Sequence, residues 1–497
     1  MPIPHSPLNL AILRSLAFLI DSISPIAVCF SLHELYQLVT WTIDHQFQTP
    51  SVADASKFQW TLFEFLQLYL HLETMFFVYF HLQHKRLQRI IRPPPISDVD
   101  RERLLQQMLY TSGDEFHEFF AGWFRWTHTK KQVAPEEFHL IRRDNFRDWF
   151  AWMLFGASGY QELLNDPHAL LRCQQLNEVV QRFSAVKNVF IQPGRNTDME
   201  AIILNYNQVD AYLKPLGFYM VINLLETVGF SVLKLMGFRR VVRGRRTGSL
   251  DSGITYWVFK GRAGQTTEKK APFPIVFFHG IGCGLFPYLH FVSQLLLKTN
   301  QPIFLVELPH VGMRLIEHVP TLQQLIDGVE GMLERHGCAE AVFVGHSLGS
   351  SLASAMVKYS KYVAGCVLLD PIVFLTHHPG LAWNFVHRVP GRNTETFRTN
   401  EFFIHWLVSR ELYISYTISR HFIWHQIILW ADDLPRNHHV VLSRQDLLLD
   451  APVVEKYLAN HSLNFTTFDV DHGAFLFEPS MQAQIVDRIL LAANECS

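Results

Sequence analysis

The stretch AVFVGHSLGSSLASAMV, residues 341–357, decides the fold of the second half of the chain. An apolar run typical of a buried strand ends at Gly-His-Ser-Leu-Gly, and small and apolar residues typical of a helix follow at once. A Gly-x-Ser-x-Gly turn between a strand and a helix presents its serine on a strained bend, where it can act as a nucleophile. Gly345 and Gly349 are expected because the turn is strained and its backbone crowded. The pattern therefore predicts Ser347 as a nucleophile, provided that the chain supplies the partners it needs.

Short apolar runs alternate with helical patterns in the sequence after residue 251. The runs are 254–261, 274–280, 302–309, 341–347, 364–371 and 438–446. This alternation predicts an α/β fold whose mostly parallel, doubly wound sheet has helices on both faces. The interval between the last two runs is too long for a simple crossover, so residues 371–436 are predicted to be an inserted helical cap.

A catalytic base is predicted in FTTFDVDHGAFLFEP, residues 465–479. Functional side chains of an open α/β sheet gather beyond the carboxyl ends of the strands, and the expected chain order is serine, acid, histidine. His472 has this order and follows a strand-like run, which distinguishes it from the other histidines among the 26 of the chain. Asp446, just past the run VVLSR, is the predicted acid that orients His472. Asp370, which ends AGCVLLDP, remains the alternative acid because the acid can lie one strand earlier.

Donors for a developing oxyanion are predicted in PIVFFHGIGCG, residues 274–284. His279 and Gly280 form a turn directly after a strand. The backbone N–H of Ile281 can then pair with that of Leu348, the residue after the serine, and the glycines of this turn allow close approach. An ordinary tight turn is the alternative interpretation of the same residues.

The first 250 residues have helical patterns, many aromatic residues and few strand signals. Three apolar stretches, 9–32, 60–82 and 216–238, are candidates for contact with lipid. Polar residues within them, such as Arg14 and Asp21, count against a bilayer span, so packing on the protein stays open. The predicted division is 1–92, apolar helices that could anchor the chain, 93–250, a helical region with the apolar helix 216–238, and 251–497, the α/β domain with its cap.

Composition and charge indicate membrane contact or an apolar site, and they argue against nucleic acid as a partner. A hydrophobic content of 48%, with 40 Phe and a mean hydropathy of +0.08, is high for a purely soluble protein. The net charge is −2 and the isoelectric point about 7.0, which argues against nucleic-acid partners. Basic residues follow two apolar stretches, namely Lys85, Arg86, Arg89 and Arg92, and then Arg239, Arg240, Arg243, Arg245 and Arg246. These flanks, and six scattered cysteines without a CxxC pair, predict that the second half faces the cytosol.

The cap sequence points to an apolar ligand. Residues 371–436 contain many Phe, Trp and Tyr, and an aromatic helical lid over a serine nucleophile suits an acyl chain or another lipophilic ester. His421 and His425 have the i, i+4 spacing of metal ligands, but no nearby carboxylate completes a site. We therefore expect neither a metal nor a cofactor.

Several of these stretches carry a family resemblance. FFHGIGCGLFPYLHF, GHSLGS, LLDPIVFLTHHPGLAWNFVHR, SRHFIWHQIILWADDLP, SRQDLLLDAPVVEKYL and DHGAF resemble the α/β-hydrolase superfamily. More narrowly, they are similar to a poorly characterised group of α/β-hydrolase-like proteins, associated with membranes, in fungi and other lower eukaryotes. The likeness covers most of residues 115–480. It implies an α/β-hydrolase fold with Ser347, Asp446 and His472 as the triad, and it implies no substrate.

The expected function is a serine hydrolase, of esterase or lipase type, that cleaves a lipophilic carboxylic ester through an acyl-enzyme. An acyltransferase would use the same residues, and the sequence does not separate the two. A non-catalytic scaffold that binds a ligand at a membrane is the alternative from another class. An epoxide hydrolase or dehalogenase of this fold would need Asp in place of Ser347.

Overall fold

The structure of the protein is a computed structural model that describes residues 3–44, 62–113, 116–165, 168–242, 253–261, 273–316, 318–394 and 397–494. The α-helices are α1 Pro7–Asp44, α2 Leu62–Leu87, α3 Asp98–Thr111, α4 Phe116–Ala121, α5 Arg143–Phe155, α6 Tyr160–Leu164, α7 Ala169–Val186, α8 Leu216–Leu235, α9 Leu289–Lys298, α10 Leu322–Arg335, α11 Gly349–Tyr359, α12 Pro379–Ala382, α13 Thr399–Phe403, α14 Leu412–His421, α15 Trp424–Ile427, α16 Ala451–Asn460 and α17 Pro479–Asn494. The strands are β1 Phe124–Trp126, β2 Met199–Ala201, β3 Arg239–Val241, β4 Tyr256–Phe259, β5 Ile275–Phe278, β6 Ile303–Val306, β7 Ala341–His346, β8 Val363–Leu369, β9 His438–Ser443 and β10 Phe465–Phe468.

Eight of these strands form one sheet, in the order β10-β9-β8-β7-β5-β6-β4-β3. The strands from β10 to β6 are parallel, and β4 and β3 are antiparallel to their neighbours. Alternate residues of β5 enter different cores: Val276 packs on the face covered by α10 and α11, and Phe277 on the face covered by α9 and α17. Because helices cover both faces, the central strands are buried along their whole length. The predicted mostly parallel, doubly wound sheet is confirmed.

The edge strand β3 lies outside the part of the chain that the sequence assigns to the sheet. It follows α8 almost directly and pairs with β4, with Arg240 opposite Trp257. The guanidinium of Arg240 donates to both carboxylate oxygens of the buried Glu307, at 2.7 and 2.8 Å. The sequence does not predict the pairing of β3 with β4 or of Arg240 with Glu307, because Arg-Arg-Val has no strand pattern and its partners are distant in sequence. The predicted boundary between the helical region and the α/β domain, at residues 250 and 251, lies in the segment 243–252, outside the described residues. Arg243, Arg245 and Arg246 lie in the same segment.

The segment from α3 to β2 packs against the sheet rather than standing apart. Its own centre is aromatic, with Phe146 and Trp149 of α5 buried among the rings of Phe120 and Phe183. Strands β1 and β2 pair antiparallel beside this centre. The same hydrophobic cluster continues through α10, α11 and one face of the sheet. The segment and that face therefore share one core.

Helices α12 to α15 and two π-helical turns form the chain between β8 and β9. Arg420, at the end of α14, is only 2% exposed and joins this cap to the first half of the chain. Its guanidinium donates to the backbone carbonyls of Gln88, Arg89, Asn205, Asn207 and Ser419, at 2.7 to 3.2 Å. One side chain thus satisfies five carbonyl groups from three segments of the chain.

Removing this guanidinium is expected to destabilise the protein strongly. The substitution Arg420→Met should lower the free energy of unfolding by about 3–5 kcal/mol, because buried carbonyls lose their donors. Arg436→Met, at an exposed arginine, is the matched control and should change it by less than about 0.5 kcal/mol. Urea unfolding in detergent, followed by tryptophan fluorescence, measures both, and equal effects would show that the cap does not depend on Arg420.

Three helices, α1, α2 and α8, coincide with the three apolar stretches, although Trp60 and Thr61 fall outside the described residues. Among the described helices, two are long and apolar enough to cross a bilayer, over Pro7–Thr42 and Leu216–Leu235, and α2 does not meet that test. Only 17% and 22% of these two windows are buried, whereas a core helix would be mostly buried. The exposed apolar side chains include Leu8, Phe18, Leu19 and Leu32 of α1, Leu62, Phe63, Met75 and Leu82 of α2, and Met220, Val221, Leu224 and Leu235 of α8. Among the described residues, nothing covers these side chains, and we call the surface that they form the apolar face below.

Three polar side chains on these helices, Asp21, Ser24 and Glu73, form hydrogen bonds within the protein. Asp21 of α1 accepts a hydrogen bond from the indole of Trp406 in the cap, at 2.9 Å. Ser24 of α1 donates to one carboxylate oxygen of Glu73 in α2 at 2.5 Å, and the other oxygen accepts from the amide of Leu216, which begins α8, at 2.8 Å. These bonds hold the three helices together and satisfy groups that would be costly in lipid.

Candidate active site

Ser347 lies in the turn between β7 and α11, with a backbone φ of 51°. A Cβ at Gly345 would lie 2.7 Å from the Cα of Ser350, and one at Gly349 would lie 2.3 Å from the carbonyl oxygen of Phe278. Both distances are shorter than real carbon contacts, so each position requires glycine. The turn therefore holds Ser347 in a left-handed conformation at the carboxyl end of a central strand.

His472 lies between Ser347 and Asp446. The Ser347 hydroxyl donates to His472 Nε2 at 2.9 Å, and His472 Nδ1–H donates to Asp446 Oδ2 at 2.6 Å. Asp446 is itself held, because its other carboxylate oxygen accepts from the amides of Leu448 at 2.7 Å and Leu449 at 3.2 Å. The structure thus brings together the three residues that the sequence proposes as a triad.

The protonation of His472 is set by two opposing influences. Burial lowers the pKa of the imidazole, whereas the negative charge and hydrogen bond of Asp446, and the nearby charge of Asp370, raise it. The carboxylates dominate, so the pKa of His472 is raised from 6.5 to about 9. The carboxylates therefore stabilise the imidazolium that forms when His472 takes the serine proton, while the neutral form that can take it is the major species only above this pKa.

Asp370, the alternative acid, lies at the end of β8 and contacts the backbone next to His472. Its Oδ2 accepts from the amide of Gly473 at 2.7 Å. Burial raises the pKa of this carboxyl group. Asp370 thus anchors the loop that carries His472, whereas Asp446 bonds to the imidazole itself.

The turn after β5 places Ile281 on the wall of the cavity that Ser347 and Leu348 also line. The neighbouring amides are occupied: Gly280 donates to the hydroxyl of Tyr288 at 2.9 Å and Gly282 to the carbonyl of Val311 at 3.1 Å. Within the described part of the chain, the amides of Ile281 and Leu348 have no such acceptor. Two amide donors thus remain available beside Ser347.

His279 and Gly280 have structural positions in this turn. His279 is buried, and burial lowers the pKa of its imidazole to about 4, so the ring is neutral. Its Nδ1–H donates to the carbonyl of Gly280 at 2.8 Å, and its Nε2 accepts from the amide of Leu308 at 3.0 Å. A Cβ at Gly280 would lie 2.9 Å from the Cβ of Ser347, so glycine is needed for this close approach.

Comparison with known proteins agrees with this architecture. Residues 275–488 match the model of the alpha/beta hydrolase family. The second half of the chain has an α/β-hydrolase fold, and we call it the α/β-hydrolase domain below. No curated protein matches the chain significantly.

Solved structures similar to the chain match it at low sequence identity. A hydrolase from Pseudomonas aeruginosa PA01 is 15% identical, with a TM-score of 0.36, and the match covers 51% of this chain and 98% of that one. A membrane phospholipase A is 13% identical, with a TM-score of 0.37, and the match covers 56% of this chain and 94% of that one. An esterase from Pyrobaculum calidifontis is 15% identical, with a TM-score of 0.37, and the match covers 55% of this chain and 92% of that one. At these TM-scores the three likenesses carry no argument about the activity of this chain.

The α/β-hydrolase domain and its cap enclose a cavity of about 420 Å³ beside Ser347 and His472. Apolar side chains dominate its lining. They come from the cap, including Leu381, Phe385, Phe403, Leu407, Val408, Ile418 and Phe422, and from outside it, including Leu204, Ile222, Met313, Leu448 and Phe477. The cavity is of ordinary size for a small-molecule site and suits an apolar ligand.

The sequence did not reveal a polar contact between the cap and the loop of His472 in the α/β-hydrolase domain. Asp471 accepts from Arg398 at 2.9 Å and from the side-chain amide of Asn400 at 3.0 Å. The amide oxygen of Asn400 in turn accepts from the backbone N–H of Ile3, at 2.7 Å, just before α1. The only local signal was a second carboxylate adjacent to His472, because Arg398, Asn400 and Ile3 are distant in sequence.

Among the described residues of the chain, no group of three or more His, Cys, Asp or Glu side chains could hold a metal ion. His421 and His425 have ligand spacing in the sequence, but His421 ends α14 and His425 lies in α15. Burial lowers the pKa of each to about 4. Both rings are therefore neutral and pack within the cap.

Proposed function

We propose that the protein is a membrane-associated serine hydrolase that cleaves lipophilic carboxylic esters through an acyl-enzyme intermediate. The observation that carries this proposal is the position of His472, which bonds to Ser347 through one ring nitrogen and to Asp446 through the other. This geometry provides a nucleophile, a base and a group that orients the base, at the wall of an apolar cavity.

Acylation would begin with attack of Ser347 Oγ on the ester carbonyl carbon while His472 Nε2 takes the hydroxyl proton. The tetrahedral intermediate carries its negative charge on the former carbonyl oxygen, which the amides of Ile281 and Leu348 would stabilise. As the intermediate collapses, His472 returns the proton to the leaving alkoxide, and the alcohol departs. The acyl group is then bonded to Ser347.

Deacylation repeats these steps with water as the nucleophile. His472 takes a proton from water, the hydroxide adds to the acyl carbonyl, and Ser347 leaves with the proton from His472. Asp446 keeps the imidazole in the tautomer that both steps need. An acyltransferase would differ only in the acceptor, since an alcohol would replace water at this stage, so an added alcohol that yields a new ester would identify that activity.

The apolar lining and the apolar face support a lipophilic substrate and a membrane location. Moving the exposed Leu, Phe, Met and Val side chains of α1, α2 and α8 out of water is favourable, roughly in proportion to their area. Helix α8 has 20 residues, about 30 Å, which is the thickness of the hydrocarbon core. We propose that the α/β-hydrolase domain faces the cytosol, as the basic residues after α2 and α8 suggest.

Labelling with a fluorophosphonate probe tests the proposed function. We expect the wild-type protein in detergent to label, because such probes phosphonylate an activated serine, and Ser347→Ala to take up no probe. Ser351→Ala is the matched control, since the Ser351 hydroxyl donates to the carbonyl of Leu348 and does not line the cavity. If folded wild-type protein stays unlabelled, the proposal fails and a ligand-binding scaffold becomes the better explanation.

A further inference from the structure

The mouth of the cavity is apolar. Among the described lining residues, Phe477 is the most exposed, at 51%. Leu476, Pro287, Phe403 and Leu407, all partly exposed, also line the cavity. A ligand that enters here therefore passes between apolar side chains. Asp471, the carboxylate among the described lining residues, is paired with Arg398 at 2.9 Å.

Two helices of the apolar face flank this mouth. Helix α8 packs on the turn that contains Pro287, where a Cβ at Gly229 would lie 3.5 Å from Phe286. Helix α1 packs on α13, which ends at Phe403. Pro287 and Phe403 thus belong to segments that the two apolar helices directly contact, and Phe477 lines the same cavity.

At this place a single helix, α8, lies between the cavity and the exterior. On one side, Ile222 is buried and lines the cavity. On the other side, Met220, Val221 and Leu224 are 59%, 54% and 62% exposed. If the apolar face is in lipid, acyl chains lie one helix diameter from the cavity that holds Ser347.

We propose that the substrate is an ester lipid of the bilayer, which enters the cavity sideways through the mouth at Phe477 without passing through water. This inference rests on the proposed function. An acyl chain that leaves the bilayer for water exposes every methylene, and the exposure is unfavourable in proportion to chain length. An apolar mouth beside apolar helices removes that barrier, and the advantage grows with the length of the chain.

The test compares two fluorophosphonates on protein reconstituted in phosphatidylcholine vesicles. One probe has a hexadecyl chain and is dissolved in the vesicles, and the other has an ethyl group and is added in water. The measured quantity is the ratio of the long-chain to the short-chain labelling rate. Phe477→Glu should lower this ratio by about 10-fold or more, because a carboxylate at the mouth opposes passage of an acyl chain.

Phe190→Glu is the matched control, because Phe190 is also an exposed phenylalanine and does not line the cavity. Its ratio should stay within about twofold of wild type. Phe477→Gln replaces Phe477→Glu if the charge disturbs folding, and vesicle flotation verifies that each variant is bound. An unchanged ratio in bound, labelled Phe477 variants overturns the lateral route. Failure of wild type to label with either probe contradicts the proposed function instead.

Discussion

Replacing Ser347 or His472 by alanine should lower kcat for hydrolysis of a lipophilic ester by about 10⁶-fold, and replacing both should lower it no further. The reason is that the two side chains act in one step: without the base the hydroxyl is a poor nucleophile, and without the hydroxyl the base has no proton to take. The bond of 2.9 Å between Ser347 Oγ and His472 Nε2 is the structural basis for this expectation. Steady-state kinetics on the two single variants and the double variant measure it.

His461→Ala is the control for the loss of a histidine. Its ring bonds to the carbonyl of Tyr457 one turn earlier in the chain and does not line the cavity. We expect a change in kcat below about twofold. Effects of Ser347→Ala and His472→Ala that multiply in the double variant would show that the residues act independently, contrary to the proposed mechanism.

The second large effect distinguishes the two candidate acids. Asp446→Asn should lower kcat by about 10⁴-fold, because an amide at this position favours the wrong imidazole tautomer. Asp370→Asn is nearly isosteric and keeps an oxygen that can accept from Gly473, so it should lower kcat by less than about 10-fold. Kinetics on both variants, with circular dichroism to verify folding, decide between them. The reverse order of effects would assign the acid to Asp370.

The pH dependence of kcat/KM is an independent test of the interaction between Asp446 and His472. Only neutral His472 can accept the serine proton, and its pKa is raised to about 9. The wild-type kcat/KM should therefore rise with pH, with a midpoint well above the ordinary histidine value of 6.5. In Asp446→Asn the carboxylate charge is lost and burial lowers the pKa, so the midpoint should move to lower pH. An unchanged midpoint would indicate that Asp446 does not act on His472.

Local sequence patterns were sufficient to predict six of the eight strands of the sheet. The runs that became β4 to β9 are short and apolar, so each indicates a buried strand, and the helical patterns between most of them favour a mostly parallel sheet. The same patterns predicted where Ser347, Asp446 and His472 lie, because the ends of such strands share one edge. Their catalytic roles, like the division into three parts, stay predictions until they are measured.

Contacts between distant segments could not be predicted from the sequence. Strand β3 is recognisable only through its pairing with β4 and through Glu307, which neutralises Arg240. The bond between Asn400 and Asp471 likewise depends on how the cap folds over the sheet. A local pattern contains no information on such partners, because they arise from packing rather than from periodicity.

Helix α8 ends at Leu235 and β3 begins at Arg239, so the apolar helix continues almost directly into the sheet that carries Ser347. With α8 in a bilayer, that short connection fixes the domain at the membrane surface. Enzyme and substrate then meet by lateral diffusion in two dimensions. The concentration that governs turnover becomes the mole fraction of the ester among the surrounding lipids, so inert lipid acts as a diluent. Such an enzyme responds to the composition of its own membrane patch and is insensitive to the volume of the compartment around it.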